Sequence, residues 1–314
     1  MNCPPCPRCT GRIEATDLRC PVCGHATAKP SERAHVVTKT LRCTSCAAAM
    51  AYDAAHQAPR CVYCDAVLAL EERTDPLETV ESWLPFTLAP EDARTALRTW
   101  MESLGPFRPG DLRDASHVDE LTPVWWVAWI FDAKALVSWT ADSDMNTGKA
   151  DWAPHGGQQE LSFDSILIPA TRGLTFLETS VLTPTYDLRT ASPTSEGPPE
   201  ARKELFAVHR VAARKRIDDA LRFRAKQRIH DVVPGKRRRR LDLSVVVHAL
   251  DTRRHGLPAY VLAYRYRGEL YRAVISGQDG ACVLAEAPWS PWRIAVAVVA
   301  AVAVLMAVVG LALG

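Results

Sequence analysis

From residue 89 onward, apolar positions recur at helical spacing: Ala93, Leu97, Trp100 and Leu104. Glu91 and Asp92 stand in the first turn, where carboxylates complement the helix dipole, and Gly105-Pro106 stops the run. The spacing predicts a helix from Pro90 to about Leu104. Residues 123–140 (PVWWVAWIFDAKALVSWT) are aromatic and β-branched, which predicts one or two long strands. Trp125, Trp126, Trp129 and Trp139 are expected in the core. Residues 165–169 read as a short strand and 190–199 (TASPTSEGPP) as a linker. A long polar helix is expected from Pro199 to about His230, on Leu205, Val208, Ala212, Ile217, Leu221 and Ala225. The period then switches to two, with strands near 241–250, 259–266, 270–276 and 281–285 and turns at Arg267-Gly268 and 277–280. Cys282 in the last strand reads as a small buried hydrophobe.

The last apolar run has no polar face. Ile294 to Leu313 (IAVAVVAAVAVLMAVVGLAL) holds twenty uncharged residues, which as a helix span roughly 30 Å, the thickness of a bilayer core. Trp289, Trp292 and Arg293 precede it and suit the headgroup layer on a positive-inside face. The expectation is a single-pass tail anchor in a cytoplasmic membrane, with the bulk of the chain cytosolic. The start, MNCPPCPRC, has neither a basic n-region nor an apolar h-region, so no cleavable secretory signal is expected.

Nine of the ten cysteines lie in the first 64 residues. Cys6-Pro-Arg-Cys9 with Cys20-Pro-Val-Cys23, and Cys43-Thr-Ser-Cys46 with Cys61-Val-Tyr-Cys64, form two sets of paired CxxC turns. On the cytosolic side thiols stay reduced, so a disulfide framework is the poorer reading. Two CxxC turns from a short hairpin make a closed tetrahedral site of four thiolates, which suits Zn2+. Two zinc ions are expected, on Cys6, Cys9, Cys20 and Cys23 and on Cys43, Cys46, Cys61 and Cys64. Cys3-Pro-Pro-Cys6 offers a second register for the first turn; Cys6/Cys9 is preferred because Thr10-Gly11 follows. His25 and His56 read as solvated loop residues.

The net charge of +2 conceals an internal asymmetry. Residues 1–75 are nearly neutral, nine bases against eight acids, a poor electrostatic footprint for DNA. Residues 76–199 carry eight bases against eighteen acids, and 200–240 carry fifteen bases against five acids. Three readings of the basic segment stay open: a complement to the acidic region, attraction to anionic lipid, or nucleic-acid contact. Its densest part is Lys236, Arg237, Arg238, Arg239 and Arg240.

No catalytic signature is present. Asn146-Thr147-Gly148-Lys149 lacks the leading glycine and the closing Ser/Thr of a phosphate loop. Asp142, Asp144 and Asn146 imitate the start of an EF-hand loop, but Thr147 and Ala153 stand at its glycine and glutamate positions. The fold class expected is α+β: zinc ribbons over 1–29 and 38–72, an acidic α+β domain over 76–189, the 190–199 linker, and the basic 200–240 segment. An antiparallel segment over 241–288 packs with the α+β domain, and a membrane helix follows over 294–313. The expected role is non-enzymatic: an adaptor or scaffold whose ribbons hold a protein partner at the membrane. The alternative is a membrane-tethered nucleic-acid binder using the ribbons and the basic segment.

This arrangement resembles a family of poorly characterised bacterial membrane proteins with N-terminal zinc ribbons, often labelled primosomal protein N′ (replication factor Y)-like. The resemblance rests on the eight cysteines, Trp83-Leu84-Pro85-Phe86, Thr122-Pro123-Val124-Trp125-Trp126, the run from Tyr264 to Tyr271 (YRYRGELY), and Ser276-Gly277-Gln278-Asp279-Gly280. It implies a metal-binding membrane protein. It does not imply a helicase, because no nucleotide-binding loop is present.

Overall fold

The computed structural model describes residues 5–13, 17, 19–26, 37–51, 60–74, 78–147, 150–208 and 210–313. Its elements in chain order begin with β1 (Val37–Cys43), β2 (Ala49–Ala51) and β3 (Leu68–Thr74). Next come β4 (Ser82–Trp83), α1 (Pro90–Ser103), α2 (Leu112–Ala115), β5 (Ser116–Ser143) and β6 (Ala153–Pro169). They are followed by α3 (Phe176–Leu182), β7 (Arg202–Lys203), α4 (Arg210–Val232), β8 (Arg238–Tyr266) and β9 (Glu269–Ser276). β10 (Val283–Ala285) and α5 (Pro291–Leu313) complete the series.

Two sheets result. The small one, β2-β1-β3, belongs to the second ribbon. The large one runs β10-β9-β8-β5-β6, with β4 pairing β8 and β7 pairing β5 in parallel. Its centre is the antiparallel pair β5–β8, paired from Ser116↔Tyr266 to Ser143↔Arg238 with register shifts after Val118, Lys134 and Thr140.

The central run of β5 is apolar without alternation because both faces are covered. Val127, Trp129, Phe131, Ala133, Ala135 and Val137 face α4, whose stripe Ala213, Ile217, Leu221, Ala225 and Ile229 recurs every four residues. Val124, Trp126, Ala128 and Ile130 point to the opposite face, against the second ribbon and Leu182 of α3. A third core lies where α1 covers Tyr260, Leu262, Tyr264 and Tyr266 with Ala93, Leu97 and Met101. All four tryptophans read as core residues are buried. The indole N–H groups of three of them donate inward, from Trp125 to the Leu84 carbonyl, from Trp126 to the Tyr186 hydroxyl and from Trp129 to the Val208 carbonyl.

Several expectations are corrected by tertiary pairing. The expected helix from Pro199 begins only at Arg210. Residues 202–207 spend their backbone elsewhere: Arg202 and Lys203 pair with Val124 and Trp125, Leu205 N–H donates to the Ala49 carbonyl, and Ala207 N–H donates to Ala170. The 190–199 linker is part of the body, since Trp83 and Ser192 exchange both backbone hydrogen bonds and Phe86 N–H donates to Glu196. The strands expected at 241–250 and 259–266 are one strand. On that edge β4 pairs with His255 and Gly256 and β9 begins at Ala259, so Pro258 falls between two partners. Cys282 is half-buried, with its thiol near the Val181 carbonyl.

The expected membrane span is helical throughout, Pro291–Leu313. Among the described residues, however, no helix is long and apolar enough to cross a membrane. The side chains of 305, 307 and 309–313 lie outside the description, so the unbroken described run is Ile294–Val304.

Ile217→Ala removes a fully buried side chain between α4 and Trp129. It is expected to lower stability by about 2–4 kcal/mol in chemical denaturation, whereas Val211→Ala, on the exposed side of the same helix, changes it by less than ~0.5 kcal/mol.

Candidate metal centres

Four cysteine turns share one local geometry. In each, the first cysteine's N–H donates to a carbonyl five residues on: Cys6 to Gly11, Cys20 to His25, Cys43 to Ala48 and Cys61 to Ala66. The residue after each second cysteine has positive φ, namely Thr10, Gly24, Ala47 and Asp65. This left-handed step turns the chain so that free N–H groups face the sulfurs. At Cys43, the backbone N–H groups of Ser45 and Cys46 lie 3.3 and 3.4 Å from Sγ. Burial opposes ionisation of this thiol, but those two N–H groups and the neighbouring thiols outweigh it and bring it down to about 7.

The turns meet in two clusters, Cys6/Cys9/Cys20/Cys23 and Cys43/Cys46/Cys61/Cys64, each with its sulfurs within 4.8 Å of one another. Sγ···Sγ separations are 3.7 Å for Cys6–Cys23, 3.5 Å for Cys9–Cys20, 3.4 Å for Cys43–Cys64 and 3.7 Å for Cys46–Cys61. Four thiolates at ~2.3 Å from one zinc stand about 3.8 Å apart in a tetrahedron, so both clusters fit Zn2+. Among the described residues neither cluster includes a fifth donor, and a closed four-thiolate site serves structure rather than substrate activation. Cys9 is in the cluster together with Cys6, as the preferred register for the first turn has it; Cys3 and His56 lie outside the described residues. His25 is exposed and is not in either cluster.

Each ribbon is fastened to the body by a buried charge. Asp17, between the cysteine pairs of the first ribbon, has a side chain only 6% exposed. It accepts from Arg214 Nη1 at 2.7 Å, and Arg210 Nη1 lies 3.5 Å away. Arg210 and Arg254 converge on Glu78, each at 2.8 Å. On the outer side, Arg12 pairs with Asp251 at 2.7 Å. The second ribbon goes deeper: Cys43, Met50, Cys61 and Tyr63 share one core with Trp126 and Leu257. Tyr63 packs so closely on Gly173 that a Cβ there would lie 2.1 Å from the ring. Its hydroxyl donates to Glu204 Oε2 at 2.9 Å, and Thr171 donates to Oε1 at 2.8 Å. Arg272 locks the edge of this contact through Glu178 Oε1 at 2.8 Å, the Gly173 carbonyl at 2.7 Å and the Tyr63 carbonyl. Complete burial pushes the Glu204 carboxyl up to about 7, against the pull of the Thr171 and Tyr63 hydrogen bonds.

The dense basic run is largely occupied. Arg237 pairs with Asp144, and the backbone N–H groups of Lys236 and Arg237 donate to the same carboxylate. Arg239 and Arg240 reach Asp142 at 3.2 and 3.6 Å. The Arg237 and Arg239 guanidiniums stand over Trp152, and Arg238 meets His230. Among the three readings of the run, the complement to the acidic region has these contacts behind it. They also commit Asp142 and Asp144, the two carboxylates that imitated an EF-hand.

Sequence reasoning missed Asp17, Glu204 and Arg272. Their partners are 33 to 209 residues distant, and no local spacing announces them.

Two outcomes are expected. Elemental analysis of the double variant Cys43→Ser/Cys46→Ser finds zinc reduced from two ions per chain to one, while Cys282→Ser keeps both. Glu204→Gln changes how stability depends on pH. Between about 4.5 and about 7 the folded chain keeps a proton that the unfolded chain releases, so wild-type stability falls as pH rises through that window. The drop is on the order of 3 kcal/mol, and the wild-type-minus-variant difference measured by denaturation at pH 5 and pH 8.5 should show it.

A family model described as viral nucleic acid binding matches residues 14–99, which is 86 of the 314 residues. The match takes in Cys20, Cys23 and all four cysteines of the second ribbon. No curated protein and no solved structure matches the chain. The expected likeness to zinc-ribbon proteins is met by the two four-cysteine clusters; the primosomal label finds no counterpart.

Proposed function

We propose that this chain is a non-catalytic, zinc-stabilised adaptor that holds a protein partner at the cytosolic face of a membrane. The observation that carries this reading is a cleft of about 610 Å³ between the second ribbon and the sheet. Its ribbon wall is the second cysteine turn, Arg60 to Asp65, and its floor includes Val261, Ala263 and Leu270. Arg202 and Arg265 line it beside these apolar residues. A rigid, metal-braced wall beside a mixed apolar and basic floor suits recognition of another chain. Closed cysteine sites offer no open metal position for chemistry.

Membrane attachment is supported by α5. It carries no charge after Arg293, and Val298, Val299, Val304 and Met306 are exposed on a helix that none of the three body cores includes. An apolar helix exposed on all sides is disfavoured in water.

A second reading is favoured by the match to a viral nucleic-acid-binding family. The outer face of α4 presents Lys215, Arg216, Arg222, Arg224 and Lys226 around Phe223, all exposed, an arrangement that serves phosphates and a stacked base.

One purification separates the two. The full chain is isolated in lipid nanodiscs as wild type, as Leu270→Glu in the cleft, and as Lys215→Glu/Arg222→Glu on α4. The adaptor reading expects a stoichiometric protein partner that Leu270→Glu loses while both zinc ions stay; a partner set unaffected by Leu270→Glu removes the cleft. The nucleic-acid reading expects binding of a labelled single-stranded oligonucleotide that weakens about 10-fold or more between roughly 50 and 200 mM salt and is lost in the α4 variant. No binding at the lower salt removes that reading.

A further inference from the structure

The root of α5 is clamped to a loop nearly two hundred residues earlier in the chain. Residues 105–111 (GPFRPGD) leave α1 and run to the segment that leads into α5. Ser290 N–H donates to the Phe107 carbonyl at 2.9 Å. Arg293 Nη1 donates to the Pro106 carbonyl at 3.2 Å. The Arg293 guanidinium lies against Gly110, where a Cβ would stand 2.5 Å from Nη2. In the reverse direction, Arg108 donates to the Ala287 carbonyl, and its guanidinium stacks 3.6 Å above the Trp289 ring. The β8–β9 turn joins the same assembly, since Tyr266 Oη and Arg267 Nη2 both donate to Asp111, at 2.8 and 3.0 Å.

This clamp leaves large apolar rings facing outward. Phe107 is 42% exposed, Trp289 61% and Trp292 77%. The Arg108 guanidinium stands over the Trp289 ring, Arg293 and Arg267 are bonded to the same loop at Pro106 and Asp111, and the exposed valines of α5 follow directly in the chain. Aromatic rings with arginines beside them, at the foot of an uncharged helix, match the composition of a headgroup layer. We infer that loop 105–110 and the Trp289–Arg293 segment form one collar that seats the folded body on a phospholipid surface. The inference rests on the membrane reading of α5 and goes beyond it: Phe107 and Arg108, distant in sequence, contact lipid, and the body is held in one orientation rather than swinging on a tether.

The occupant is a bilayer interface because the patch is continuous with α5. The charges around the collar are of both signs: Asp111 is paired with Arg267 and Glu102 with Arg113. The contact therefore draws on rings and guanidiniums at headgroup depth, and it should persist on uncharged phosphatidylcholine.

The test is photolabelling of the full chain in phosphatidylcholine nanodiscs. The lipid carries a diazirine near its headgroup, and adducts are mapped by mass spectrometry. Adducts on peptides covering 105–110 and 289–313 are expected. None is expected at Phe176 or Phe223, which are 85% and 64% exposed elsewhere on the body. The variant Phe107→Ser/Arg108→Gln should lose loop labelling several-fold while α5 stays labelled. Adducts on α5 alone overturn the collar and leave the anchor standing. Adducts on neither segment overturn both. Labelling of 105–110 without 294–313 removes the anchor and keeps the surface contact. Labelling of Phe176 equal to that of Phe107 overturns the collar as a specific surface.

Discussion

The antiparallel pairing of β5 with β8 is the constraint on which the other elements depend. These two strands run together from Ser116↔Tyr266 to Ser143↔Arg238 and present two long faces. Neither strand is stable with those faces in water. One face is closed by α4 at one end and α1 at the other, the second by the ribbon around Tyr63 and by α3. Even β4 and β7, two residues each, take up edge positions that β9 and β6 leave open.

A metal held in the second ribbon would therefore be coupled to the sheet. A zinc ribbon of this size buries little by itself and relies on its metal for much of its folding free energy. Here the second ribbon also closes a core that contains Trp126 and Leu257. Its cysteine turns hold Tyr63 in place, and Tyr63 holds Glu204, so loss of a metal from this cluster would reach the sheet through buried polar contacts that leave unsatisfied groups when broken. The first ribbon is attached less deeply, by Asp17 between two arginines of α4. The acidic and basic halves of the chain meet in such pairs, and for that reason the near-zero net charge describes the molecule poorly.

Much of this was legible in residue order. The two four-cysteine clusters were readable because CxxC turns are local, and their geometry needs only the residues within them. The α1 helix was readable from its spacing and its stops, and β9 with its Arg267-Gly268 turn from period two and a turn pair, both with positive φ. Helix α4 was placed correctly at its end and eleven residues too early at its start. The stretch before α4 has acceptable helical spacing, yet backbone groups of 202–207 are taken by β5, the second ribbon and the residue after β6.

By itself, the sequence determined the pairing of the cysteine turns into two four-thiol sets, the long apolar strands and the uncharged character of Ile294–Leu313. Each of these is a property of neighbouring residues. Only the tertiary structure decided that the ribbons are walls of the body rather than free knobs. It also decided that the Arg237–Arg240 run is met by Asp142 and Asp144, and that Phe107 and Arg108 stand beside Trp289 and Arg293. The physical reason is the same in each case. These are contacts between groups from about 90 to more than 180 residues apart, and they exist because pairing β5 with β8 brings the segments together; no local spacing encodes that distance.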